Sequence, residues 1–227
     1  MTDRRGKFIT IEGLDGCGKS TQLEKLGSAL RAQRLEVVVT REPGGTPIGE
    51  KIRAVLLDSR TSGLSPGAEL ALMFAARAQQ VEQLILPALA AGKFVLCDRF
   101  TDSSEAYQGG GRELGSEPVL ALDKVLCRGL RPDLTILMDS DVQASVTRAR
   151  RRNRSRTSDE FAESSDENRF ERESRAFFER VRNGYLAIAR REPDRVVTVD
   201  ARRPMEAVHR EIVKAVRERL LSAAKMA

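Results

Sequence analysis

The run Gly13-Leu14-Asp15-Gly16-Cys17-Gly18-Lys19-Ser20-Thr21 fits G-x-x-x-x-G-K-[ST], the spacing of a phosphate-binding loop. Glycines let a backbone close around an anion without Cβ clashes. The loop N–H groups and the positive end of a following helix then point at phosphate oxygens. In such a loop Lys19 reaches the β- and γ-phosphates and the Ser20 hydroxyl helps to hold Mg²⁺. The flanks suit the motif. Lys7-Phe8-Ile9-Thr10-Ile11-Glu12 reads as a strand, and Leu23, Leu26, Ala29 and Leu30 recur at helical spacing after the loop. The chemistry implied is binding of a nucleoside triphosphate.

Two further segments could do chemistry. Thr40-Arg41-Glu42-Pro43-Gly44-Gly45-Thr46 is a tight Pro-Gly-Gly turn carrying an arginine and a glutamate, either aimed at a site or solvated. Phe94-Val95-Leu96-Cys97 followed by Asp98 resembles a Walker B strand, whose carboxylate reaches Mg²⁺. The next residue is Arg99, where many ATPases that hydrolyse for mechanical work place a glutamate. An arginine can grip a phosphate through two parallel hydrogen bonds, which favours a second phosphate substrate over activated water. The reaction class indicated is phosphoryl transfer.

Taken together, Gly-Leu-Asp-Gly-Cys-Gly-Lys-Ser, Thr-Arg-Glu-Pro-Gly-Gly-Thr and Asp-Arg-Phe-x-x-Ser-Ser-x-Ala-Tyr-Gln-Gly resemble the bacterial thymidylate kinase family, from Phe8 to about Ile212. The resemblance implies transfer of the ATP γ-phosphoryl group to dTMP, giving dTDP and ADP, with Mg²⁺. It implies ATP phosphates on Gly13, Leu14, Asp15, Gly16, Cys17, Gly18, Lys19, Ser20 and Thr21, with the metal at Ser20 and Asp98. Asp15, Lys19, Arg99 and Arg152 are the implied catalytic residues. For dTMP it implies Arg41 and Arg99 on the phosphate and Glu42 near the sugar and metal. Pro43 and Phe74 would pack on the base, with Arg77, Ser104 and Gln108 around it. Tyr107 would fill the space of a 2′-hydroxyl. Outside this context Phe74 would read as a core aromatic. With no arginine inside the loop, the chain resembles the bacterial family members that carry the cation for the transferring group in a lid, here the Arg-rich segment 148–172. Arg152 is the first choice there, with Arg148, Arg156 and Arg169 behind it. The chain departs from the family at Phe100, where tyrosine or histidine is common, and at Asn168-Arg169-Phe170-Glu171, where Asp-Arg-Ile-Glu is usual.

The elements that must position these residues alternate along the chain. Strands are predicted at 7–12, 36–40, 93–97, 134–138 and 195–199, nearly continuous in apolar residues as in sheets covered on both faces. Helices are predicted at 19–33, 47–58, 66–91, 116–128, 141–151, 168–191 and 204–223. The expectation is one α/β domain over 1–227: a P-loop NTPase-like five-stranded parallel sheet with helices on both faces and an Arg-rich lid. Ligands then bind at the C-terminal ends of the strands. Net charge of +6 suits anionic ligands. One histidine argues against histidine-based metal or base chemistry, and three scattered cysteines suggest a reduced, cytoplasmic protein. No signal peptide or membrane span is read. A nucleic-acid-binding ATPase is the alternative of another class, and aromatic content of 4% argues against a base-stacking platform. Another nucleoside monophosphate, such as dUMP, is the nearer alternative. The resemblance implies small-molecule partners, no nucleic acid or membrane, and a homodimer through helices near 48–58 and 66–91. Leu70, Met73, Val81, Leu84 and Ile85 on the latter offer a surplus of apolar surface.

Overall fold

The structure, a computed structural model, describes residues 5–58, 60–61, 63–157 and 169–221, and of 152–157 the backbone alone. The chain runs β1 (Phe8–Glu12), α1 (Lys19–Ala32), β2 (Val37–Arg41), α2 (Pro47–Leu57), α3 (Pro66–Gln80), α4 (Leu86–Ala90), β3 (Phe94–Asp98), α5 (Thr101–Ser104), α6 (Ser116–Leu126), β4 (Leu134–Asp139), α7 (Val142–Thr157), α8 (Arg175–Arg191), β5 (Val196–Asp200) and α9 (Met205–Val216). The five strands form one parallel sheet in the order β2-β3-β1-β4-β5. The order reverses beside β1, so the ends of β1 and β3 open onto a common crevice, where such sheets bind ligands.

Alternation along β1 assigns its two faces. Ile9 and Ile11 join Leu23, Leu26 and Leu30 of α1 and Val208, Ile212 and Val216 of α9 in one core. Phe8 joins Phe74, Val81, Ile85, Leu89 and Val119 on the opposite face. A third cluster packs Phe177, Phe178, Val181, Tyr185 and Ile188 of α8 against Leu14, Ala106 and Tyr107. Each fully buried Leu, Ile or Phe contributes about 1.5–3 kcal/mol relative to exposure, so these clusters hold the loops in place. Among the described residues, no helix is long and apolar enough to cross a membrane.

Several predicted boundaries shift. The helix read over 66–91 is three segments: α3, a π-helical turn at Val81–Ile85, and α4. Pro87 lacks an N–H and its ring crowds the preceding turn, which the wider turn accommodates. Leu70, Val81 and Ile85 are buried in the chain's own core, so most of the expected apolar surplus is absorbed there. The helix read at 168–191 is a 3₁₀ turn at Phe170–Arg172 and then α8, restarted by Ser174, whose hydroxyl accepts from the Phe177 N–H at 3.2 Å. Helix α7 runs past 151 to Thr157, so the segment read as a lid is helical in its first part. It also buries Ala149 and Phe170. The remainder of that segment, 158–168, lies outside the described residues, as do 222–223 of the last predicted helix.

The segment after β3, which falls outside every predicted helix, is helical: α5 continues as a π-helical turn over Glu105–Gly111. Its glycines mark a close helix–helix approach. A Cβ on Gly111 would lie 2.6 Å from Phe177, and one on Gly184 would lie 3.1 Å from the Ala106 Cα. Triple glycine therefore serves packing against α8 here, with buried acids fastening the same helix. Asp102 takes a two-pronged contact from Arg195 at 2.7 and 2.9 Å, and Glu105 one from Arg191 at 2.6 and 2.7 Å.

Candidate active site

Strand β1 ends at Glu12 and the backbone turns through Gly13 (φ 135°), Gly16 (φ 79°) and Gly18 (φ 99°). Those values belong to the left-handed region that side chains disfavour. Space excludes side chains as well: a Cβ on Gly13 would sit 2.5 Å from the Met138 carbonyl oxygen, and one on Gly16 2.3 Å from that of Ser145 on α7. Gly18 precedes α1 and gives no side-chain cap, leaving the first N–H groups of that helix for an anion. Lys19 is buried and donates to the carbonyls of Gly13 at 3.2 Å and Leu14 at 2.9 Å. Leu14 and Cys17 are buried too, and burial raises the Cys17 thiol pKa, which keeps it protonated and unreactive. Thr21 is exposed on the first turn of α1.

Ser20 donates to Asp98 Oδ2 at 3.1 Å, so the loop hydroxyl meets the carboxylate ending β3. Asp98 Oδ1 is buried without a hydrogen-bond partner. A hydroxyl, a carboxylate and an orphaned acceptor oxygen fit Mg²⁺, a hard cation bound through one or two protein oxygens plus substrate phosphates.

Arg99 is the hub. Its backbone is left-handed (φ 74°), unusual for a non-glycine residue, and its N–H donates to the Ile11 carbonyl at 3.1 Å. Its Nη2 donates to Asp15 Oδ1 at 2.9 Å and to the Tyr107 hydroxyl at 3.2 Å. Its Nη1 donates to Ser103 Oγ and to the Tyr185 hydroxyl, both at 2.9 Å. Behind them lies Glu12, fully buried, accepting from the Phe100 N–H at 2.7 Å, Ser103 Oγ at 2.5 Å and the Tyr185 hydroxyl at 3.1 Å. Burial pushes the Glu12 carboxyl up to about 8, with Asp102 adding to it, while Ser103, Arg99 and the Phe100 N–H pull the other way. Sequence reasoning missed Glu12, Ser103 and Tyr185. The available signal was that the chain has two tyrosines, 107 and 185, and both touch this arginine.

A second buried cluster lies beside the first. Arg77 donates through Nε to Glu42 Oε2 at 2.6 Å, and through Nη2 to Ser104 Oγ at 2.9 Å and the Phe100 carbonyl at 3.1 Å. Burial pushes Glu42 up to about 7 even with Arg77 against it. Glu42 Oε1 and Arg77 Nη1 are buried without partners, one acceptor and one donor available to a polar ligand edge. Phe74 is fully buried and the Arg77 guanidinium lies 4.5 Å from its ring centre, so in this structure Phe74 is a core aromatic with one face taken. Pro43 is buried, and its carbonyl accepts from Arg53 at 2.9 Å.

Other expected site residues stand further out. Arg41 is exposed and pairs with Glu50 at 3.1 Å. Gln108 donates to Glu69 at 2.9 Å, a buried carboxylate that also holds Arg112 at 3.0 Å and Arg169 at 2.7 Å. Arg169 donates as well to the Leu56 carbonyl, so among the lid candidates it is committed to the junction of α2 and α3. Arg148 on α7 donates to the Gly16 carbonyl at 2.8 Å, which lays the lid helix on the phosphate loop. The side chains of Arg152 and Arg156 lie outside the described residues.

A family profile described as thymidylate kinase matches residues 11–212. A thymidylate kinase of Pseudomonas putida is 50% identical over 205 residues, covering 90% of this chain and 93% of that protein. One of Alkalilimnicola ehrlichii is 49% identical over 204 residues, covering 90% and 89%. The crystal structure of thymidylate kinase from Ehrlichia chaffeensis superposes with a TM-score of 0.72 at 31% identity, over 93% of this chain and 99% of that one. A match across nearly the full span of both sequence and fold, on a chain whose phosphate loop, Asp98 and Arg99 converge at one crevice, places this chain in the thymidylate kinase family.

Proposed function

We infer that this chain transfers the γ-phosphoryl group of ATP to dTMP, giving dTDP and ADP, the reaction of its family. One observation carries the assignment of roles. Arg99, at the end of β3, holds Asp15 of the phosphate loop at 2.9 Å and Tyr107 at 3.2 Å. A guanidinium between the donor loop and a second buried pocket is where an acceptor phosphate can meet the ATP γ-phosphate in line.

The proposed roles combine this geometry with the family resemblance. The loop N–H groups from Gly13 to Thr21 cradle the ATP phosphates, and Lys19 leaves the Gly13 and Leu14 carbonyls for phosphate oxygens. Ser20 and Asp98 would hold Mg²⁺, which would supply charge neutralisation at the ATP phosphates. The dTMP phosphate replaces Asp15 on Arg99, and Arg41 exchanges its surface pairing with Glu50 for the same phosphate. The base edge takes the unpartnered Glu42 Oε1 and Arg77 Nη1, with Ser104 beside them, and stacks on the face of Phe74 opposite Arg77. Tyr107, fixed by edge contacts to Phe170, Phe177 and Tyr185, fills the space of a 2′-hydroxyl. Arg152 is the proposed cation over the transferring group, with Arg148 and Arg156 on the same helix and Arg169 anchoring the lid's return. Pro43 closes the turn beside Glu42, and Gln108 and Glu69 brace the pocket wall. The proposed assembly is a cytoplasmic homodimer.

The test is ADP release with ATP and Mg²⁺ over dTMP, dUMP, the thymine ribonucleotide, dCMP, dGMP and AMP. Turnover with dTMP well above dUMP and the ribonucleotide is expected. ADP release driven instead by DNA or RNA, and by no monophosphate, would replace a kinase with a nucleic-acid-dependent ATPase.

A further inference from the structure

The guanidinium of Arg99 is held on two sides that differ in kind. On the Nη2 side are Asp15, a third exposed, and the Tyr107 hydroxyl. A phosphate can displace a carboxylate there. On the Nη1 side are Ser103 Oγ and the Tyr185 hydroxyl at 2.9 Å each, both buried. Nη1 donates to both, so each hydroxyl must send its own proton elsewhere. The geometry provides the destination. Ser103 Oγ, the Tyr185 hydroxyl and Glu12 Oε2 form a closed triangle with edges of 2.5, 2.7 and 3.1 Å. Glu12 Oε1 is fixed separately by the Phe100 N–H at 2.7 Å. With the proton of Glu12 counted, each of the three O–H groups donates along one edge of the triangle, which leaves a lone pair of both hydroxyls facing Nη1. Ser103 comes from α5 and Tyr185 from α8, so two elements meet one arginine nitrogen and a third, β1, stands behind them through Glu12. That arginine sits on a left-handed backbone that offers it no regular-structure support.

We propose that Ser103 and Tyr185, oriented by Glu12, are positioning residues that lock the Nη1 side of Arg99 so that its Nη2 side is presented to the acceptor phosphate. None of the three needs to touch substrate. Without them the guanidinium keeps its charge but loses its direction, and a two-pronged grip on phosphate depends on direction. The inference rests on the reading of Arg99 as the acceptor-phosphate ligand.

The experiment compares Tyr185→Phe, the double variant Ser103→Ala/Tyr185→Phe, and Arg99→Ala in the full chain. Steady-state kinetics are run against dTMP and ATP separately, with a melting curve for each protein. Tyr185→Phe keeps the ring and its packing and removes only the hydroxyl. The expected result is a dTMP KM raised about fivefold by Tyr185→Phe and about thirtyfold by the double variant, with the ATP KM within about twofold of the parent. A purely structural role would instead lower the melting point and impair both substrates together, and that outcome overturns the proposal. An unchanged dTMP KM in Tyr185→Phe and in the double variant, while Arg99→Ala raises it, overturns the proposal alone. An unchanged dTMP KM in Arg99→Ala overturns the reading beneath it as well.

Discussion

Glu12 sets a pH dependence that belongs to a single residue. Its carboxyl is pushed up to about 8 in the folded chain, against an ordinary value of 4.5. Between those values the native state holds a proton that the unfolded state has lost. Stability from this group is therefore complete below about pH 4.5 and is lost as pH rises through 8. Glu42, pushed up to about 7, acts in the same direction over a narrower window. We expect unfolding free energy to fall by on the order of a few kcal/mol from pH 5 to pH 8.5, and Glu12→Gln to flatten that slope. Denaturant titrations across this range decide it, and stability rising with pH would mean Glu12 is ionised throughout. For Lys19, buried on loop carbonyls with no regular-structure role for its ammonium, Lys19→Ala is expected to lower kcat at least about a hundredfold while the melting point stays close to that of the parent.

At the scale of elements, the helix after β3 and helix α8 approach closely enough to exclude a methyl group. Gly111→Ala places its Cβ 2.6 Å from Phe177 and 2.9 Å from Val181. We expect a loss of about 1–3 kcal/mol, read as a lower melting point, together with a weaker grip on dTMP because α8 carries Tyr185. An unaltered melting point would show that the two helices slide apart freely. The lid helix makes a second such contact, where Gly16 meets the α7 backbone and Arg148 reaches its carbonyl. Further along α7, Arg152→Ala is expected to lower kcat about a thousandfold with the dTMP KM nearly unchanged. Equal loss in both parameters would make this arginine a substrate anchor instead. The strands were legible in the sequence within a residue or two because each is a short apolar run. The helix at 101–111 was not, because Gly109-Gly110-Gly111 has the local chemistry of a turn and becomes helical only against Phe177 and Val181.

Over the whole molecule, the sheet order puts β1 and β3 side by side, so the phosphate loop and Asp98-Arg99 meet by topology. Apolar side chains remain exposed on one flank, notably Ile48 and Val55 of α2, each near half exposed. Covering them by a second copy is the simplest route to the proposed homodimer. Sedimentation at micromolar concentration is expected to give about twice the 25.1 kDa chain mass, and Val55→Asp is expected to shift it to the single mass. A single-mass species in the parent chain would remove the homodimer.

The sequence by itself determined the phosphate-loop spacing, the position of Asp98 and Arg99 at a strand end and the alternation that makes a parallel sheet. Each of these is a local pattern whose meaning survives without neighbours: a glycine spacing, an apolar run, a charge at a strand end. Only the tertiary structure decided which groups stand behind them. Glu12, Ser103 and Tyr185 are scattered over 173 positions, and only folding brings them within hydrogen-bond distance of one another. Phe74 shows the same division, since its spacing fits both a core and a base platform. In the folded chain Arg77 takes one face of the ring, a contact no local pattern announces. Burial, hydrogen-bond direction and displaced pKa values arise from the sum of contacts around a side chain, and that sum exists only once the chain has closed.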